Sequence, residues 1–338
     1  MAFIDPRQAY TYFSNNYSLK KTSKGWYSFK CPLCNELENR RKVAVNFQYG
    51  VVKCWICGYK DTIVDFVSET EGIDYNAARA LLRECSPSAV NLNEIEDTSH
   101  REYSEIELPY GFKSLLEGVG VMGDRARNYL KARGFDLKEL DRMGVGYCSE
   151  PIQDELKEIH EDYFGYIIIP FKSRGKLVYF IGRDFIGNFL RYKNPPKSEF
   201  NVGKGDLLFN EDALYLYDEV FVLEGAWDAI TIGRDATATL GWSLSATQKS
   251  KLLQSEAEII TLVPDGGKDG KGVPFYVLAL ELALELVEHK KVKIVDLNGA
   301  EEGKDVNAMG RDRFMEIYDA TPIMNASEIM MQILEYDE

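Results

Sequence analysis

Two pairs of cysteines near the start of the chain constrain its fold more than any other sequence feature. Each pair has the pattern Cys-x-x-Cys, nineteen residues separate the pairs, and the four residues are Cys31, Cys34, Cys54 and Cys57. Four soft thiolates in a tetrahedron select Zn²⁺ and leave no open coordination position. The pattern therefore predicts a small ribbon built around one structural zinc ion.

The rest of the sequence is typical of a reducing compartment. The two other cysteines, Cys85 and Cys148, are expected to be buried apolar fillers. No apolar run reaches about eighteen residues, so no membrane span is expected. The first seven residues lack the basic and apolar regions of a signal peptide. We therefore expect a cytoplasmic protein whose clustered cysteines bind metal rather than form disulfides.

The distribution of charge predicts two places where a polyanion binds. The 338 residues carry a formal net charge of −14, yet residues 1–60 have ten Lys/Arg against three acids, and residues 171–204 have eight against two. In the first island aromatic side chains lie beside cations, which suits base stacking and phosphate contact. We therefore predict that Trp26 and Arg41 bind nucleic acid. The alternatives are scattered solvated charge, and rings that only pack a small ribbon.

Composition and periodicity divide the chain into segments. Residues 1–85 hold the cysteines and a helical stretch, and residues 86–108 form an acidic segment without a clear period, which predicts a flexible linker. The remaining segments are 109–217, 218–310 and a helical tail at 311–338. Within 109–217, Asp124 is placed to cap a helix that Gly134 closes. Apolar runs on both sides of a turn at 173–175 predict a hairpin.

From residue 218 onward, strand and helix patterns alternate. Strands are predicted at 220–223, 237–240, 259–263 and 292–295, with helices at 227–232, 246–253 and 277–287. Such alternation predicts a parallel sheet covered by helices, in which ligands bind at the carboxyl ends of the strands.

Acidic residues follow three of these predicted strands. Glu224 ends the first, Asp265 enters a glycine-rich loop after the third, and Asp305 lies beyond the last. Carboxylates gathered at one edge of a sheet suit Mg²⁺, which neutralises charge during phosphoryl transfer. The alternative for each acid is an ordinary turn residue.

These acids resemble the pattern of the Toprim fold, and the wider chain resembles the bacterial and phage family of DNA primases. In addition to the paired zinc knuckles, the motifs that carry the resemblance are Tyr129-Leu130-Lys131-Ala132-Arg133-Gly134-Phe135, Gly175 to Arg183, Tyr192-Lys193-Asn194-Pro195-Pro196-Lys197, Lys204 to Phe209, Leu223-Glu224-Gly225-Ala226-Trp227-Asp228-Ala229, Thr239-Leu240-Gly241 and Gly303-Lys304-Asp305. Their order extends over residues 31–307.

The resemblance implies a multidomain α/β protein: a small zinc ribbon with four cysteine ligands that reads template DNA, a mixed α+β N-terminal subdomain at 109–217, and a Toprim parallel sheet at 218–310. It implies that Glu224, Asp265 and Asp305 bind catalytic Mg²⁺ or Mn²⁺ or serve proton transfer. A groove for single-stranded DNA template and ribonucleoside triphosphates would be lined by Arg183, Lys193, Lys197 and Lys204. Because the sequence has no Gly-x4-Gly-Lys-Ser/Thr loop, a replicative helicase would be a separate chain.

Two departures from the family pattern matter. The usual Asp-x-Asp is absent, since Gly267 lies two residues after Asp265 and the next acid is Asp269. Either Asp269 serves as a magnesium ligand after a small insertion, which we favour, or one ligand is missing. All four zinc ligands are cysteines, as in some phage members, which favours a phage protein.

Two other functions stay open on the sequence. A Toprim nuclease would share the acidic site, but has less use for a zinc ribbon and a basic segment. A non-catalytic module that binds single-stranded DNA is the second, and Gly267 is its main support.

Overall fold

The described part of the chain forms three β-sheets with helices packed against them. The computed structural model describes residues 4–22, 26–34, 43–88, 103–153, 161–173, 175–196, 202–241, 244–267, 273–297 and 305–337. Within these ranges, two antiparallel sheets of five strands precede one parallel sheet of four. This architecture confirms the predicted fold class.

The first sheet is an antiparallel meander that forms the ribbon. Its strands, in spatial order, are β1 (Lys20–Lys21), β2 (Trp26–Phe29), β3 (Val43–Asn46), β4 (Val51–Cys54) and β5 (Lys60–Thr62). The helices Pro6–Asn16, Ile63–Glu71 and Tyr75–Glu84 cover it. Phe13, Phe29 and Phe66 are fully buried between the sheet and these helices. The helical stretch predicted after the cysteines is two helices, because Gly72 adopts φ 66° and ends the first.

The second sheet contains the predicted hairpin. Its strands are β6 (Phe112–Ser114), β7 (Gly146–Cys148), β8 (Tyr166–Ser173), β9 (Lys176–Asp184) and β10 (Tyr192–Lys193), each antiparallel to the next. β8 and β9 pair along their whole length, as predicted. Ile167, Ile169 and Val178 pack this sheet into a core that extends to the third sheet.

The helix beside the second sheet begins earlier than the sequence predicts. It spans Val121–Ala132, with Gly120 at the N-cap, and a second helix follows at Leu137–Arg142. The prediction that Asp124 caps it is wrong. Asp124 lies in the first turn, where a carboxylate also stabilises the helix dipole, and it pairs with Arg127 at 2.7 Å.

The third sheet is parallel and positions the predicted acidic residues. Its strands are β11 (Glu219–Leu223), β12 (Ala236–Ala238), β13 (Ile259–Val263) and β14 (Lys291–Ile294), in the spatial order β12-β11-β13-β14. The apolar runs are buried on both faces, as expected of a parallel sheet. A 3-10 turn at Lys204–Asp206 precedes it, and its helices are Ala213–Leu216, Ala226–Ile232, Ala246–Gln254, Phe275–Leu286 and Val306–Met309.

The predicted helical tail consists of two helices, Arg311–Asp319 and Ala326–Asp337. The second packs on the helix Phe275–Leu286, where Ile329 is fully buried. None of the helices in the described ranges combines the length and apolar character needed to cross a bilayer.

The ribbon packs directly against the parallel-sheet unit, which consists of β11–β14 and the helices that cover them. The rings of Tyr49 and Tyr215 stack with 3.9 Å between their centroids and 10° between their planes. Lys60 and Asp218 form an ion pair at 3.2 Å. Trp26 lies in the same apolar cluster as Tyr215. The ribbon and the parallel-sheet unit therefore share one continuous apolar cluster.

The end of the predicted linker also packs. The Tyr103 hydroxyl donates a hydrogen bond to the carbonyl of Asp206 at 2.5 Å, and the Ile106 amide donates to the carbonyl of Leu177 at 2.9 Å. Both side chains are buried. The region that can act as a linker therefore ends before residue 103, and most of it, 89–102, lies outside the described residues.

Candidate active site and zinc site

The four predicted zinc ligands lie together at one end of the ribbon. Their Sγ atoms are all within 4.8 Å of one another, with 3.9 Å between Cys31 and Cys57 and between Cys34 and Cys54. Four sulfurs at about 2.3 Å from a tetrahedral ion are about 3.8 Å apart. All four are free thiols. The donor set and its spacing fit a structural Zn²⁺ ion, which has no position left for a substrate.

Carboxylates meet at the carboxyl-terminal edge of the parallel sheet. Glu224 directly follows β11, and Asp265 follows the neighbouring β13 by two residues. The two strands are parallel and in register up to their last residues, so both side chains leave the sheet at the same edge. Asp305 precedes the helix Val306–Met309, and its carboxylate accepts a hydrogen bond from the Ala308 amide at 2.7 Å.

A fourth carboxylate, Asp228, belongs to this group although the sequence analysis did not select it as a site residue. It lies in the first turn of the helix Ala226–Ile232, is 7% exposed, and accepts a hydrogen bond from the Asn307 amide at 2.9 Å. A Cβ at Gly225 would lie 2.5 Å from its Oδ2 atom. The available signal was its position within the motif Leu223 to Ala229.

The carboxylates are close enough to oppose one another's ionisation. Burial raises the pKa of Asp265 to about 8, and the charges of Asp228, Glu224 and Asp305 contribute to that rise in this order. Burial likewise raises the pKa of Asp228 to about 6, opposed by the Asn307 hydrogen bond and assisted by Asp305. Burial also raises the pKa of Glu224, and Lys204 opposes that shift. Such a group is stabilised by a cation.

Asp265 carries a carboxylate oxygen whose hydrogen-bonding capacity is not satisfied within the protein. Its Oδ1 atom is buried and has no hydrogen-bond partner among the described residues. A buried acceptor without a partner is costly, and hard carboxylate oxygens of this kind suit Mg²⁺ or Mn²⁺. Within the described ranges, only the four cysteine sulfurs form a group whose ligand atoms are close enough to bind a single ion directly, all within 4.8 Å of one another. The carboxylate oxygens of the acidic group are further apart than these sulfurs.

Of the predicted basic residues, Lys204 lies near Glu224, and Arg183 is linked to the acidic group through Tyr129 and Arg133. Lys204 is close enough to Glu224 to oppose the rise in its pKa. Arg183 is buried, donates a hydrogen bond to the Tyr129 hydroxyl at 2.9 Å, and has a buried Nη1 atom for which the described residues offer no hydrogen-bond partner. Lys193 is instead paired with Glu161 at 2.7 Å.

Arg133, which was not among the predicted site residues, connects the helix Val121–Ala132 beside the second sheet to the acidic group. Its Nη1 atom donates to the Tyr129 hydroxyl at 3.4 Å, and its Nη2 atom donates to Asn307 Oδ1 at 2.5 Å. Its guanidinium lies over the Trp227 ring at 5.4 Å. Because Asn307 also binds Asp228, one chain of contacts runs from Arg133 to the carboxylates.

Base stacking needs an exposed ring, whereas Trp26 is buried in the structure. It is 7% exposed in the contact between the ribbon and the parallel-sheet unit, and the Lys53 ammonium lies 4.9 Å from its ring centroid. Trp55, next to the zinc ligands, is 61% exposed. The prediction that Trp26 stacks on bases therefore requires the ribbon to leave this position. Arg41, Lys197 and Asp269 lie outside the described residues.

The chain is similar in sequence to bacterial DNA primases. It is 23% identical over 345 residues to the DNA primase of Clostridium acetobutylicum, across 90% of this chain and 55% of that protein. It is 28% identical over 256 residues to the DNA primase of Thermotoga maritima, across 65% of this chain and 44% of that protein. The chain thus spans about half the length of the curated relatives it matches. No family model matches it.

The fold is also similar to that of solved primases. The zinc-binding and RNA polymerase domains of the Aquifex aeolicus primase match with a TM-score of 0.52 at 21% identity, across 96% of this chain and 87% of that one. A DnaG primase catalytic domain bound to single-stranded DNA matches with a TM-score of 0.54 at 21% identity, across 66% of this chain and 78% of that one. The chain has the fold of a primase zinc-binding domain joined to an RNA polymerase core.

Proposed function

We propose that the chain is a DNA primase, which makes short RNA primers on single-stranded DNA by metal-dependent nucleotidyl transfer. The observation that carries this proposal is the meeting of Glu224, Asp228 and Asp265 at the carboxyl edge of the parallel sheet, with raised pKa values at all three. Carboxylates held together against their own repulsion are typical of a site for a divalent cation and a phosphate. The sequence similarity to DNA primases supports the choice among reactions.

The carboxylates of Glu224, Asp265 and Asp305 would hold Mg²⁺ or Mn²⁺. The buried, unpartnered oxygen of Asp265 among the described residues fits such an ion. Mg²⁺ usually keeps several waters and takes one or two carboxylates together with phosphate oxygens, so the acids need not all be direct ligands. When bound, the ion neutralises charge on the reacting phosphate and on the attacking and leaving oxygens. Asp269 remains our candidate for a further ligand.

The basic side chains would bind the anionic substrates. Lys204, which is close enough to Glu224 to oppose the rise in its pKa, would contact the triphosphate of an incoming ribonucleotide. Arg183 and Arg133 present buried nitrogen atoms that no described residue satisfies and that phosphate oxygens can satisfy. Lys193 and Lys197 would extend this surface along the template, and Lys193 would first exchange its ion pair with Glu161.

The ribbon would select where synthesis begins on the template. Its zinc site is closed, so its contribution is binding rather than chemistry. Trp55 is exposed beside the knuckles, and Trp26 and Arg41 would join the contact when the ribbon leaves the core. A replicative helicase on a separate chain would supply the single-stranded template.

A primer-synthesis assay tests the proposal. The protein is incubated with single-stranded DNA, Mg²⁺ and labelled ribonucleoside triphosphates, beside the variant Glu224→Gln, and the products are resolved by length. We expect short RNA from the wild type and a loss of about 100-fold or more in the variant, with DNA binding retained. DNA cleavage without RNA synthesis would instead identify a nuclease. Activity that Glu224→Gln leaves intact would exclude this site.

A further inference from the structure

The loop between β9 and β10 holds a phenylalanine entirely in solvent. It runs from Phe185 to Arg191, and at its tip Phe189 is 100% exposed. Leu190 and Tyr192, which follow, are 47% and 44% exposed. A single exposed ring is ordinary, but Phe189, Leu190 and Tyr192 together form an exposed apolar cluster, and such clusters mark binding surfaces.

Hydrogen bonds fix this loop rather than leaving it free to fold the ring inward. The Asp184 carboxylate accepts from the amides of Ile186 and Gly187 at 3.1 and 2.9 Å. The Asn188 side chain donates to the carbonyl of Phe164 at 3.0 Å. The Tyr166 hydroxyl donates to the carbonyl of Leu190 at 2.9 Å, just after the tip. The ring of Phe189 is therefore presented outward by an anchored backbone.

The neighbours of the tip are cationic and aromatic. The Arg183 guanidinium lies 4.7 Å from the centroid of the Tyr192 ring, and Arg191 is exposed between Phe189 and Tyr192 in the chain. Cations beside exposed rings favour nucleic acid, since bases stack on the rings while phosphates contact the guanidinium groups. An apolar protein partner would favour a broad patch without such charge.

A continuous series of contacts connects this loop to the carboxylates. Tyr192 contacts Arg183, which binds the Tyr129 hydroxyl at 2.9 Å, and the same hydroxyl accepts from Arg133 at 3.4 Å. Arg133 in turn binds Asn307, whose amide binds Asp228. A chain of successive contacts therefore connects the loop to the acidic group.

We propose that Phe189 and Tyr192 form a stacking platform for unpaired bases of single-stranded DNA, and that Arg183 and Arg191 contact its phosphates. The proposal rests on the primase function, because it assigns the platform to the template on its way to the acidic site. Base stacking on aromatic rings is tolerant of sequence, so the platform would hold the template without selecting it.

Binding of a fluorescently labelled single-stranded oligonucleotide, without ribonucleotides, tests the platform. Phe189→Ala should weaken binding about 5- to 100-fold, whereas Phe189→Trp should retain it. The logarithmic salt dependence should stay unchanged in Phe189→Ala, because no phosphate contact is lost. Met331→Ala, at a site 57% exposed on the last helix, is the matched control and should bind like the wild type.

A second signature comes from a template that contains 2-aminopurine, whose fluorescence is quenched on stacking. Quenching should be present with wild type and Phe189→Trp and reduced with Phe189→Ala. The proposal would be overturned if Phe189→Ala kept the affinity and the quenching of the wild type. It would also be overturned if Phe189→Ala changed the oligomeric state but not the DNA affinity, because the ring would then contact another copy of the protein. These assays contain no ribonucleotides, so they test DNA binding apart from synthesis. If Phe189→Ala weakened binding while the wild type made no RNA in the primer-synthesis assay, the primase function would fail and the platform would remain a site for single-stranded DNA.

Discussion

Replacing Asp265 by Asn should stabilise the fold while it removes the proposed activity. The pKa of Asp265 is raised from 3.8 to about 8, first by burial and then by three neighbouring carboxylates. A carboxyl whose pKa is raised on folding destabilises the folded state once it ionises. The fold is therefore most stable below about pH 4 with respect to this group, and it loses that stability progressively as the pH rises towards 8. An asparagine keeps the shape and removes the charge.

The size of the effect follows from the pKa difference. A shift from 3.8 to about 8 corresponds to an upper limit of about 6 kcal/mol. Because Asp265 is only half-buried and water relaxes around it, we expect about 2–4 kcal/mol at pH 8. At about pH 5 the gain should fall to roughly one third, since less of the difference in ionisation remains. For a unit of about 200 residues this gives an increase of about 5–15 °C in Tm at pH 8.

Thermal unfolding followed by circular dichroism checks this in buffer freed of Mg²⁺ by a resin that leaves the zinc in place. Asp319→Asn, at an exposed acid on the helix Arg311–Asp319, is the matched control and should change the free energy of unfolding by less than about 0.5 kcal/mol. Added Mg²⁺ should then stabilise the wild type and not Asp265→Asn. An unchanged or lower Tm for Asp265→Asn at pH 8 would refute the crowding of carboxylates on which the proposed site depends.

Three further outcomes follow from the contacts. Cys34→Ser should reduce the zinc content measured by atomic absorption from about one ion per chain to near zero, whereas Cys85→Ser should leave it unchanged. Arg133→Ala should lower the rate of RNA synthesis about tenfold or more by releasing the helix Val306–Met309, whose Asn307 amide holds Asp228. Arg133→Lys should restore only part of that rate, because one ammonium cannot make both contacts. Tyr49→Ala removes the stack with Tyr215 and should therefore increase the radius of gyration in small-angle scattering; an unchanged radius would contradict a role of this stack in holding the ribbon in place.

Local patterns explain why so much could be predicted from the sequence. The spacing of the cysteines determines a metal site almost without reference to the rest of the chain. The buried apolar runs of β11 and β13 predict a parallel sheet, and parallel strands bring Glu224 and Asp265 to one edge. In each case the signal lies within a few residues, and the geometry of a regular element supplies the remainder.

Contacts between distant segments explain what the sequence missed. The burial of Trp26 depends on the ribbon packing near Tyr215, and the pairing of Lys193 depends on Glu161, and neither is visible in a local pattern. Asp228 acquires its role only because a helical turn directs it towards Asn307. The start of the helix at Gly120 was missed because it lacks a side-chain cap.

The most direct test is the position of a divalent cation. Crystals grown with Mn²⁺ and a nonhydrolysable ribonucleoside triphosphate should be measured on both sides of the manganese absorption edge. We predict an anomalous peak at about 2–2.6 Å from a carboxylate oxygen of Glu224 or Asp265, next to the triphosphate. A triphosphate bound elsewhere, or manganese that leaves both carboxylates without a contact, would contradict the account.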